Sequence, residues 1–159
     1  MEKGITKGIA IFYGPKVKGY VKFYQKKGKK TLVHIKLSGL GKNKERAIHC
    51  HEYGDERAGC KSLGGHWNPT RKKHGSFVNG SNHHHGDMVN NIVSNSKGEV
   101  DLKYYDPLLK LTGKNHIFGR SVVIHTGVDD LGLGGNKESL ITGNAGSRIG
   151  CGIIVRYKN

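Results

Sequence analysis

The sequence predicts an all-β protein in which short strands are joined by turns. Glycine is frequent, at 25 of 159 residues, whereas there are only 3 prolines. Frequent glycine between short β-branched runs favours strands and turns over helices. Apolar and polar side chains alternate in residues 17–23 and again in 31–37, which is the period of a half-buried strand. A chain of this length can bury its own core, so we expect one domain over 1–159.

Eight strands and two long loops are predicted along the chain. The strands lie near residues 4–13, 16–26, 30–38, 44–51, 87–94, 99–105, 119–125 and 149–157. Two segments, about 52–86 and 126–148, are rich in Gly, Asn, His and Asp and show no sustained period. Loops of this length in a compact domain are usually functional or disordered. Because most of the histidines lie in or beside them, we expect functional loops.

The formal net charge is +15, from 27 basic and 12 acidic residues spread along the whole chain. The simplest interpretation is a solvated, lysine-rich surface. An anionic substrate is a second, because a positive field speeds the arrival of small anions. No recognition helix, RNA-binding aromatic motif or zinc-finger spacing accompanies the charge, so a nucleic acid is not an expected partner.

Neither a leader nor a membrane span is predicted. The first residues lack a continuous apolar region, and the apolar stretch at 9–13 is too short to cross a bilayer. We therefore expect an intracellular protein with no membrane partner. The chain has 3 cysteines, an odd number, so at least one is free or pairs between chains.

A histidine-rich pattern predicts a transition-metal site. His49 and His51 are two residues apart on a predicted strand, so both imidazoles point to one face while Cys50 points to the other. Such a pair alone is more often structural than ligating. Here further candidates follow, namely His66, His74, His83, His84, His85, Asp87 and His125. Imidazole suits copper and zinc, and a carboxylate can complete a tetrahedral zinc site. The number of candidates exceeds what one zinc needs, which indicates two metals.

Five separated segments resemble the signatures of copper-zinc superoxide dismutases. In order they are AIHCHEYGD at 47–55, GGHWNP at 64–69, HHGD at 84–87, VVIH at 122–125 with DDLG at 129–132, and GNAGSRIGCG at 143–152. The match runs through nearly the whole chain in one order, which makes it far more specific than any single motif. The resemblance implies an eight-stranded antiparallel Greek-key β-barrel. It also implies an enzyme that converts superoxide to oxygen and hydrogen peroxide.

The resemblance also implies a role for each site residue, with one copper and one zinc in each chain. The implied copper ligands are His49, His51, His66 and His125. The implied zinc ligands are His66, His74, His84 and Asp87, so that His66 bridges the two metals and takes part in catalysis.

Three further roles follow from the same resemblance. Asp129 resembles the carboxylate that links His49 with His74, and Arg148 resembles the arginine that binds superoxide. Cys60 and Cys151 resemble a disulfide pair, which leaves Cys50 as a buried, inert thiol.

Four residues differ from the family pattern or have no counterpart in it. His83 and His85 are interpreted as an exposed polar loop beside His84. Lys137 stands where the family commonly has an acid and Ile141 where a lysine is common, so electrostatic steering of the substrate by these residues is not expected.

A homodimer is implied by the resemblance at Gly54, Phe118, Gly119, Ile153 and Ile154. We further expect a cytoplasmic enzyme, in the host cytoplasm if the gene is viral, with a copper-loading partner as an additional possibility.

Two other functions compete with dismutation. The first is a superoxide-dismutase-like domain that only binds or delivers copper. Such a domain should lack a copper ligand or the arginine and should carry a Cys-x-x-Cys delivery motif, whereas this sequence has all the ligands and no such motif. The second is a basic binding protein that uses metals structurally, which only the charge supports. Binding to nucleic acid that persists at physiological salt would be its signature.

Overall fold

The computed structural model describes residues 4–80 and 82–158, and eight of its strands form one antiparallel sheet. The strands of the sheet are β1 (Ile5–Phe12), β2 (Lys18–Lys26), β3 (Thr31–Ser38), β4 (Glu45–His51), β6 (Asn91–Val93), β7 (Val100–Asp106), β8 (Ser121–His125) and β9 (Arg148–Arg156). Their spatial order is β6-β4-β8-β9-β1-β2-β3-β7. The two end strands follow one another in the chain, so the sheet curls into a nearly closed barrel. The predicted eight-stranded antiparallel barrel is confirmed.

The connections of the barrel cross between strands that are not neighbours. The chain passes from β3 to β4 and from β7 to β8 across the barrel, which is Greek-key connectivity. As a result β4 and β8, which are distant in sequence, pair directly, with Ile48 opposite Ile124 and His51 opposite Ser121. This pairing brings the first histidine motif next to the last one.

The barrel core is built by the alternation that the sequence predicts. Val21 and Phe23 of β2 are fully buried, and so are Val33 and Ile35 of β3, while the residues between them face outward. Cys50 is free, fully buried and part of the same core. Burial raises the pKa of its thiol to about 12, in agreement with an inert side chain.

Three predicted boundaries differ from the structure. The strand expected at 87–94 is reduced to β6, because Met88 and Asn90 have φ values of 50° and 61°, which end extended pairing. A 3₁₀ turn at His85–Asp87 comes just before them. The first predicted loop contains a short strand, β5 (Arg57–Cys60), and the second contains a single helical turn, α1 (Ser139–Thr142).

A disulfide joins the first long loop to the last strand. Cys60 at the end of β5 is bonded to Cys151 of β9, which confirms the predicted pair. The two cysteines are 91 residues apart in sequence. In the chain-entropy model, a closed loop of this length lowers the free energy of the folded state relative to the unfolded state by roughly 4–5 kcal/mol.

Within residues 4–80 and 82–158, no helix is long and apolar enough to cross a membrane.

Candidate metal centre

Four imidazoles meet where β4 and β8 lie side by side. His49 and His51 alternate with Cys50 on β4, so both rings face away from the barrel core. His125 ends β8 beside them, and His66 reaches the group because its backbone forms an isolated bridge with His51. Ring nitrogens of these four residues all lie within 4.8 Å of one another. We refer to His49, His51, His66 and His125 as the strand group.

Hydrogen bonds to backbone carbonyls set the tautomers of two rings in the strand group. His51 Nδ1 lies 2.9 Å from the carbonyl oxygen of Gly64, and His125 Nδ1 lies 3.2 Å from that of Gly146. A carbonyl only accepts, so in each ring Nδ1–H donates and Nε2 keeps a lone pair. The two Nε2 atoms face each other at 3.3 Å. Both lone pairs are therefore directed into the group.

The other two rings of the strand group leave nitrogen atoms unpaired. His49 Nδ1 and His66 Nε2 are buried and have no hydrogen-bond partner among the described residues. Buried polar atoms are normally paired, and an exception calls for an explanation. Four imidazole nitrogens that converge with free lone pairs form a donor set suited to a transition metal. The strand group therefore fits a bound metal ion.

A second set of ligands surrounds Asp87 and includes the same His66 ring. Oδ1 of Asp87 lies 2.9 Å from His66 Nδ1, 2.8 Å from His74 Nδ1 and 3.1 Å from His84 Nδ1. Three nitrogens and one carboxylate oxygen within 4.8 Å form a common tetrahedral zinc set. We refer to these four residues as the loop group. His66 directs Nε2 to the strand group and Nδ1 to the loop group.

Asp129 connects the two groups through their outer nitrogens. Its Oδ2 lies 2.6 Å from His49 Nε2, and its Oδ1 lies 2.7 Å from His74 Nε2. The amide of Asn90 donates to Oδ2 at 3.0 Å, and the backbone N–H of Leu131 donates to Oδ1 at 2.7 Å. The carboxylate is therefore held on four sides. Such partners fix the orientation and tautomer of metal-binding rings.

Burial keeps the strand group neutral. It lowers the pKa of His49 to about 4, of His66 to about 3 and of His125 to about 4. It also lowers the pKa of His51 well below the ordinary value. A metal binds only a deprotonated imidazole nitrogen, so these rings are ready to bind at neutral pH.

The loop group has the opposite electrostatic character. Burial alone would lower the pKa of His74, but hydrogen bonds to Asp129 and Asp87 outweigh it and raise the pKa to about 9. For both carboxylates burial is likewise outweighed, and hydrogen bonds from histidines lower their pKa. In the metal-free protein His74 is therefore a cation between two anions. A metal ion that binds there displaces its proton.

Arg148 lies at the mouth of the site. A cavity of about 520 Å³ is lined by His51, His66, His125 and Arg148, among other residues. Arg148 donates from Nη1 to the carbonyl of Cys60 at 2.8 Å and from Nη2 to that of Gly64 at 2.6 Å. The disulfide-linked loop therefore holds the guanidinium beside the strand group. The cavity leads from solvent to the imidazoles and gives a small anion access to them.

One of the residues that depart from the family pattern, Ile141, lies at the rim of this cavity, and the other, Lys137, lies nearby in the sequence. Ile141 lines the cavity and is 47% exposed, and Glu138 lines it as well. Lys137 is exposed. An isoleucine at this position carries no charge, and Arg148 is the one lysine or arginine among the residues that line the cavity.

The expectation for His83 is wrong. It was interpreted as part of an exposed loop, but only 7% of its surface is accessible, and its Nδ1–H donates to the carbonyl of His84 at 2.8 Å. The 3₁₀ turn that brings His84 and Asp87 into the loop group also folds His83 inward. His85 is half-buried.

Two structural supports of the site were not predicted from the sequence. Gly143 has a φ of 69°, and a Cβ there would overlap the carboxylate of Asp129 and the ring of His74. Arg120 stacks on Trp67 with its Cζ 3.1 Å from the ring centre, and it donates to the carbonyl of Glu52 at 2.9 Å. Trp67 and Glu52 follow His66 and His51 directly. Arg120 thereby fixes the backbone beside two candidate ligands.

Fold and site together define a class of protein. The antiparallel barrel carries two groups of candidate ligands that share one imidazole, and the site opens to solvent beside an arginine. This combination is typical of a two-metal redox enzyme that acts on a small anion.

Comparisons with known proteins identify the family. The model of the copper/zinc superoxide dismutase family matches residues 17–154. A superoxide dismutase [Cu-Zn] of Paramecium bursaria Chlorella virus 1 is 44% identical and covers 92% of this chain and 76% of its own. Those of Yarrowia lipolytica and Saccharomyces cerevisiae are 46% and 43% identical and cover 94% of this chain and 97% of their own. The crystal structure of the clock protein EA4 superposes with a TM-score of 0.88 at 35% identity, over 97% of this chain and 96% of that one.

The chain belongs to the copper/zinc superoxide dismutase family. It is an enzyme that disproportionates superoxide, and its cofactors are copper and zinc.

Proposed function

We propose that the strand group binds copper, that the loop group binds zinc and that Arg148 binds superoxide. The observation that carries this assignment is the position of His66, whose two nitrogens face different groups. The all-nitrogen strand group suits copper, and the carboxylate of the loop group suits zinc. The strand group also lines the cavity together with Arg148, where an anion can reach it.

The residues of the site have distinct tasks in this proposal. A copper ion bound by the strand group supplies the one-electron chemistry, because copper changes oxidation state and zinc does not. Two superoxide anions and two protons become one oxygen and one hydrogen peroxide. Arg148 binds each anion through charge-assisted N–H donors. His66 takes a proton at Nε2 and delivers it to the forming peroxide, while its Nδ1 stays with the loop group. Asp129 keeps His49 in the tautomer that leaves Nδ1 free.

A copper-delivery or non-catalytic domain is the alternative. Against it, all four imidazoles of the strand group and Arg148 are in place at the cavity. Metal analysis of the purified protein together with a superoxide-dismutation assay tests the two functions. We expect one copper and one zinc per chain and rapid dismutation. Both metals without activity would favour delivery.

The assignment of metals to groups needs its own test. Anomalous scattering from crystals of the loaded protein, recorded at the copper and zinc edges, should give two positions on either side of His66. A single position for both metals in a fully loaded sample would contradict the shared-ligand arrangement.

We also propose a homodimer through the surface around Ile153. A Cβ on Gly54 would contact the carbonyl of Gly119 and lie 3.1 Å from the Ile153 side chain, so these three positions adjoin. Phe118 and Ile153 are both half-buried in the single chain. The expectation for Ile154 is wrong, because its side chain is fully buried in the barrel core.

Sedimentation velocity of the loaded protein tests the dimer. Ile153→Glu should shift the protein from dimer to monomer, because it places a charge in the contact. Val93→Glu is the matched control, since Val93 lies on β6 and is 67% exposed. A monomeric wild-type protein, or equal effects of the two variants, would contradict the proposal.

Finally, we propose a cytoplasmic location, in the host cell if the gene is viral, and loading of copper by a partner protein. The family resemblance and the virus-encoded relative at 44% identity support this. Copper content should be lower when the protein is produced in cells that lack their copper chaperone. Equal copper content in both cell types would exclude a required partner.

A further inference from the structure

Lysine and tyrosine side chains alternate across the outer surface of four neighbouring strands. The outward residues of β1, β2, β3 and β7 include six lysines, namely Lys7, Lys18, Lys22, Lys26, Lys36 and Lys103. The β2–β3 turn adds Lys29 and Lys30, both exposed. The same surface carries Tyr20, Tyr24 and Tyr105. We call this surface the lysine-tyrosine face.

The strand register places these side chains in rows. Tyr24 is opposite Leu32, and Leu32 is opposite Tyr105, so two tyrosines flank one leucine. The next row holds Lys22, His34 and Lys103 side by side. Because these residues come from three strands, no continuous sequence motif marks the surface.

The positive charge of the face is almost entirely uncompensated. Asp101 is the one acidic residue among the outward positions of these four strands. Within the described parts of the chain, Lys36 is the one lysine whose Nζ lies within 4.0 Å of a carboxylate, that of Asp101, and Lys103 also interacts electrostatically with Asp101. The Lys22 ammonium instead lies over tyrosine rings, 4.5 Å from the centre of Tyr20 and 5.7 Å from that of Tyr157. The remaining lysines are available to an anionic partner.

Two hollows on the face combine cationic and aromatic walls. One, of about 470 Å³, is lined by Tyr24 and Tyr105 with Lys26, Lys29 and Lys30. The other, of about 390 Å³, lies at the opposite end of the strands. It is lined by Tyr20 with Lys18 and Lys36, but also by Glu99 and Asp101, whose carboxylates balance the two lysines. Tyr20 and Tyr24 are four residues apart on β2, which is about 13 Å along a strand. The first hollow, which three lysines and no carboxylate line, is therefore the one that favours an anion.

We propose that the lysine-tyrosine face binds single-stranded nucleic acid. Strands with interleaved cations and aromatic rings are a general solution for this ligand, because lysines contact phosphates and bases stack on the rings. Tyr105 is 63% exposed and offers such a ring. A duplex would offer no free base faces to these tyrosines. An anionic membrane suits the face less well, because Lys22, His34 and Lys103 at its centre are polar and the apolar residue that continues their row on β1, Ile9, is half-buried.

The face is remote from the metal centre. In the sheet, β9 lies between β8 and β1, the nearest strand of the face, and the two hollows share no lining residue with the catalytic cavity. Nucleic acid bound there leaves Arg148 accessible. The enzyme would then remove superoxide close to the nucleic acid that it binds.

Fluorescence anisotropy with the metal-loaded protein and labelled oligodeoxythymidine of about 20 nucleotides tests the proposal. We expect binding at physiological salt that is tighter than binding to a duplex of equal charge. Lys26→Glu/Lys29→Glu/Lys30→Glu should weaken binding at least about tenfold and make the plot of log affinity against log salt shallower by about 2. Tyr105→Ala should weaken binding about fivefold or more without changing that slope.

Controls separate this face from general charge. Lys42→Glu/Lys97→Glu/Lys114→Glu makes the same change in net charge at exposed positions outside the face. It should weaken binding less than about threefold, and both triple variants should keep dismutase activity. Equal losses in the two triples, or no effect of Tyr105→Ala, would overturn the proposal. Tighter binding to phosphatidylserine vesicles than to the oligonucleotide would assign the face to a membrane instead.

Discussion

The strand group and the loop group share His66, but the chain holds them in different ways. In the strand group, His49, His51 and His125 project from paired strands of the barrel. In the loop group, His74, His84 and Asp87 come from the long loop and the 3₁₀ turn that ends it. Barrel pairing therefore positions three ligands of one group, whereas hydrogen bonds to a carboxylate position the other.

The two groups also differ in charge before any metal is bound. The imidazoles of the strand group are neutral at pH 7, because burial lowers their pKa values. In the loop group, His74 is held as a cation by Asp87 and Asp129. A strand group that is neutral and fixed is prepared for its metal. The loop group is instead organised by ion pairs, which in the proposed assignment would be exchanged for bonds to zinc.

The difference shows how a rigid redox site can be built beside a long loop. In the proposed assignment, the pairing of β4 with β8 would hold three copper ligands in place whatever the oxidation state of the metal. If the loop group binds zinc as proposed, loop order is coupled to metal binding, and the loop also holds Arg148 through the carbonyls of Cys60 and Gly64. Asp129 links the two groups through His49 and His74.

Removal of a strand-group ligand should have the largest effect on activity. His125→Ala should abolish copper binding and reduce dismutation to the uncatalysed rate, while zinc stays, because no loop-group ligand lies on β8. Metal analysis and a dismutation assay measure both effects. His116→Ala, an exposed histidine outside both groups, is the control. Full activity of the His125 variant would contradict the copper assignment.

Removal of the loop-group carboxylate should affect zinc first. Asp87→Asn keeps the shape of the side chain but removes the charge that three imidazoles contact. Zinc affinity should fall more than about 100-fold, since even the loss of an outer partner of a metal ligand costs 10–100-fold. Copper should remain bound, with reduced activity, because β4 and β8 still hold three of its ligands.

The Asp87→Asn experiment also needs a control variant and a measurement of how ordered the loop is. Asp101→Asn removes an exposed carboxylate on β7 and should leave zinc unchanged. Proteolysis of the loop at 52–86 should be faster in Asp87→Asn than in wild type, with the barrel intact. If copper is lost as readily as zinc, the two groups are not held independently.

The barrel could be predicted from the sequence because strand alternation is a local signal. Alternate burial in 17–23 and 31–37 is present in the structure as expected. The strand predicted at 87–94 was wrong because tertiary contacts of Asp87 override the local apolar pattern. Its carboxylate accepts the N–H groups of Gly75 and His84 and turns the chain inward.

The candidate ligands could be predicted because they belong to recognisable motifs. The residues that hold those ligands in position could not be predicted. Asn90 and Arg120 act through a hydrogen bond and a ring contact with residues far away in the sequence. Neither lies in a periodic pattern that a single sequence reveals. The burial of His83 likewise follows from the path of a loop, which no local rule specifies.

Replacement of Arg148 should have a smaller effect on activity, because it weakens substrate binding and leaves both metals in place. Arg148→Ala should keep both metals and lower kcat/KM about 10–100-fold, because one charge-assisted contact is lost. Arg148→Glu should lower kcat/KM further, with the largest difference at low ionic strength. Arg57→Ala is the control, since that side chain is 88% exposed. Equal rates for wild type and the glutamate variant at low salt would contradict the role.

The last prediction concerns stability and not activity, namely the pH dependence of the metal-free protein, in which the two groups should act in opposite directions. For the strand group, the folded pKa values of His49, His66 and His125 lie below the unfolded value near 6.5. Between about pH 6.5 and 4 the unfolded chain binds more protons. The free energy of unfolding therefore falls as the pH falls, by up to about 1.4 kcal/mol per pH unit for each histidine.

For the loop group, the folded pKa of His74 is raised to about 9, so its contribution is fully present below pH 6.5 and is lost as the pH rises through 9. The metal-free protein should therefore be most stable near pH 6.5. Urea unfolding at several pH values measures this. His74→Gln should remove the decline between pH 6.5 and 9 and leave the acid side almost unchanged, because its partners are carboxylates that titrate at lower pH. His125→Gln should instead make the acid side less steep by the share of one histidine, since His49 and His66 remain. If both variants change the same limb, the strand and loop groups do not differ in charge as their hydrogen bonds and burial require.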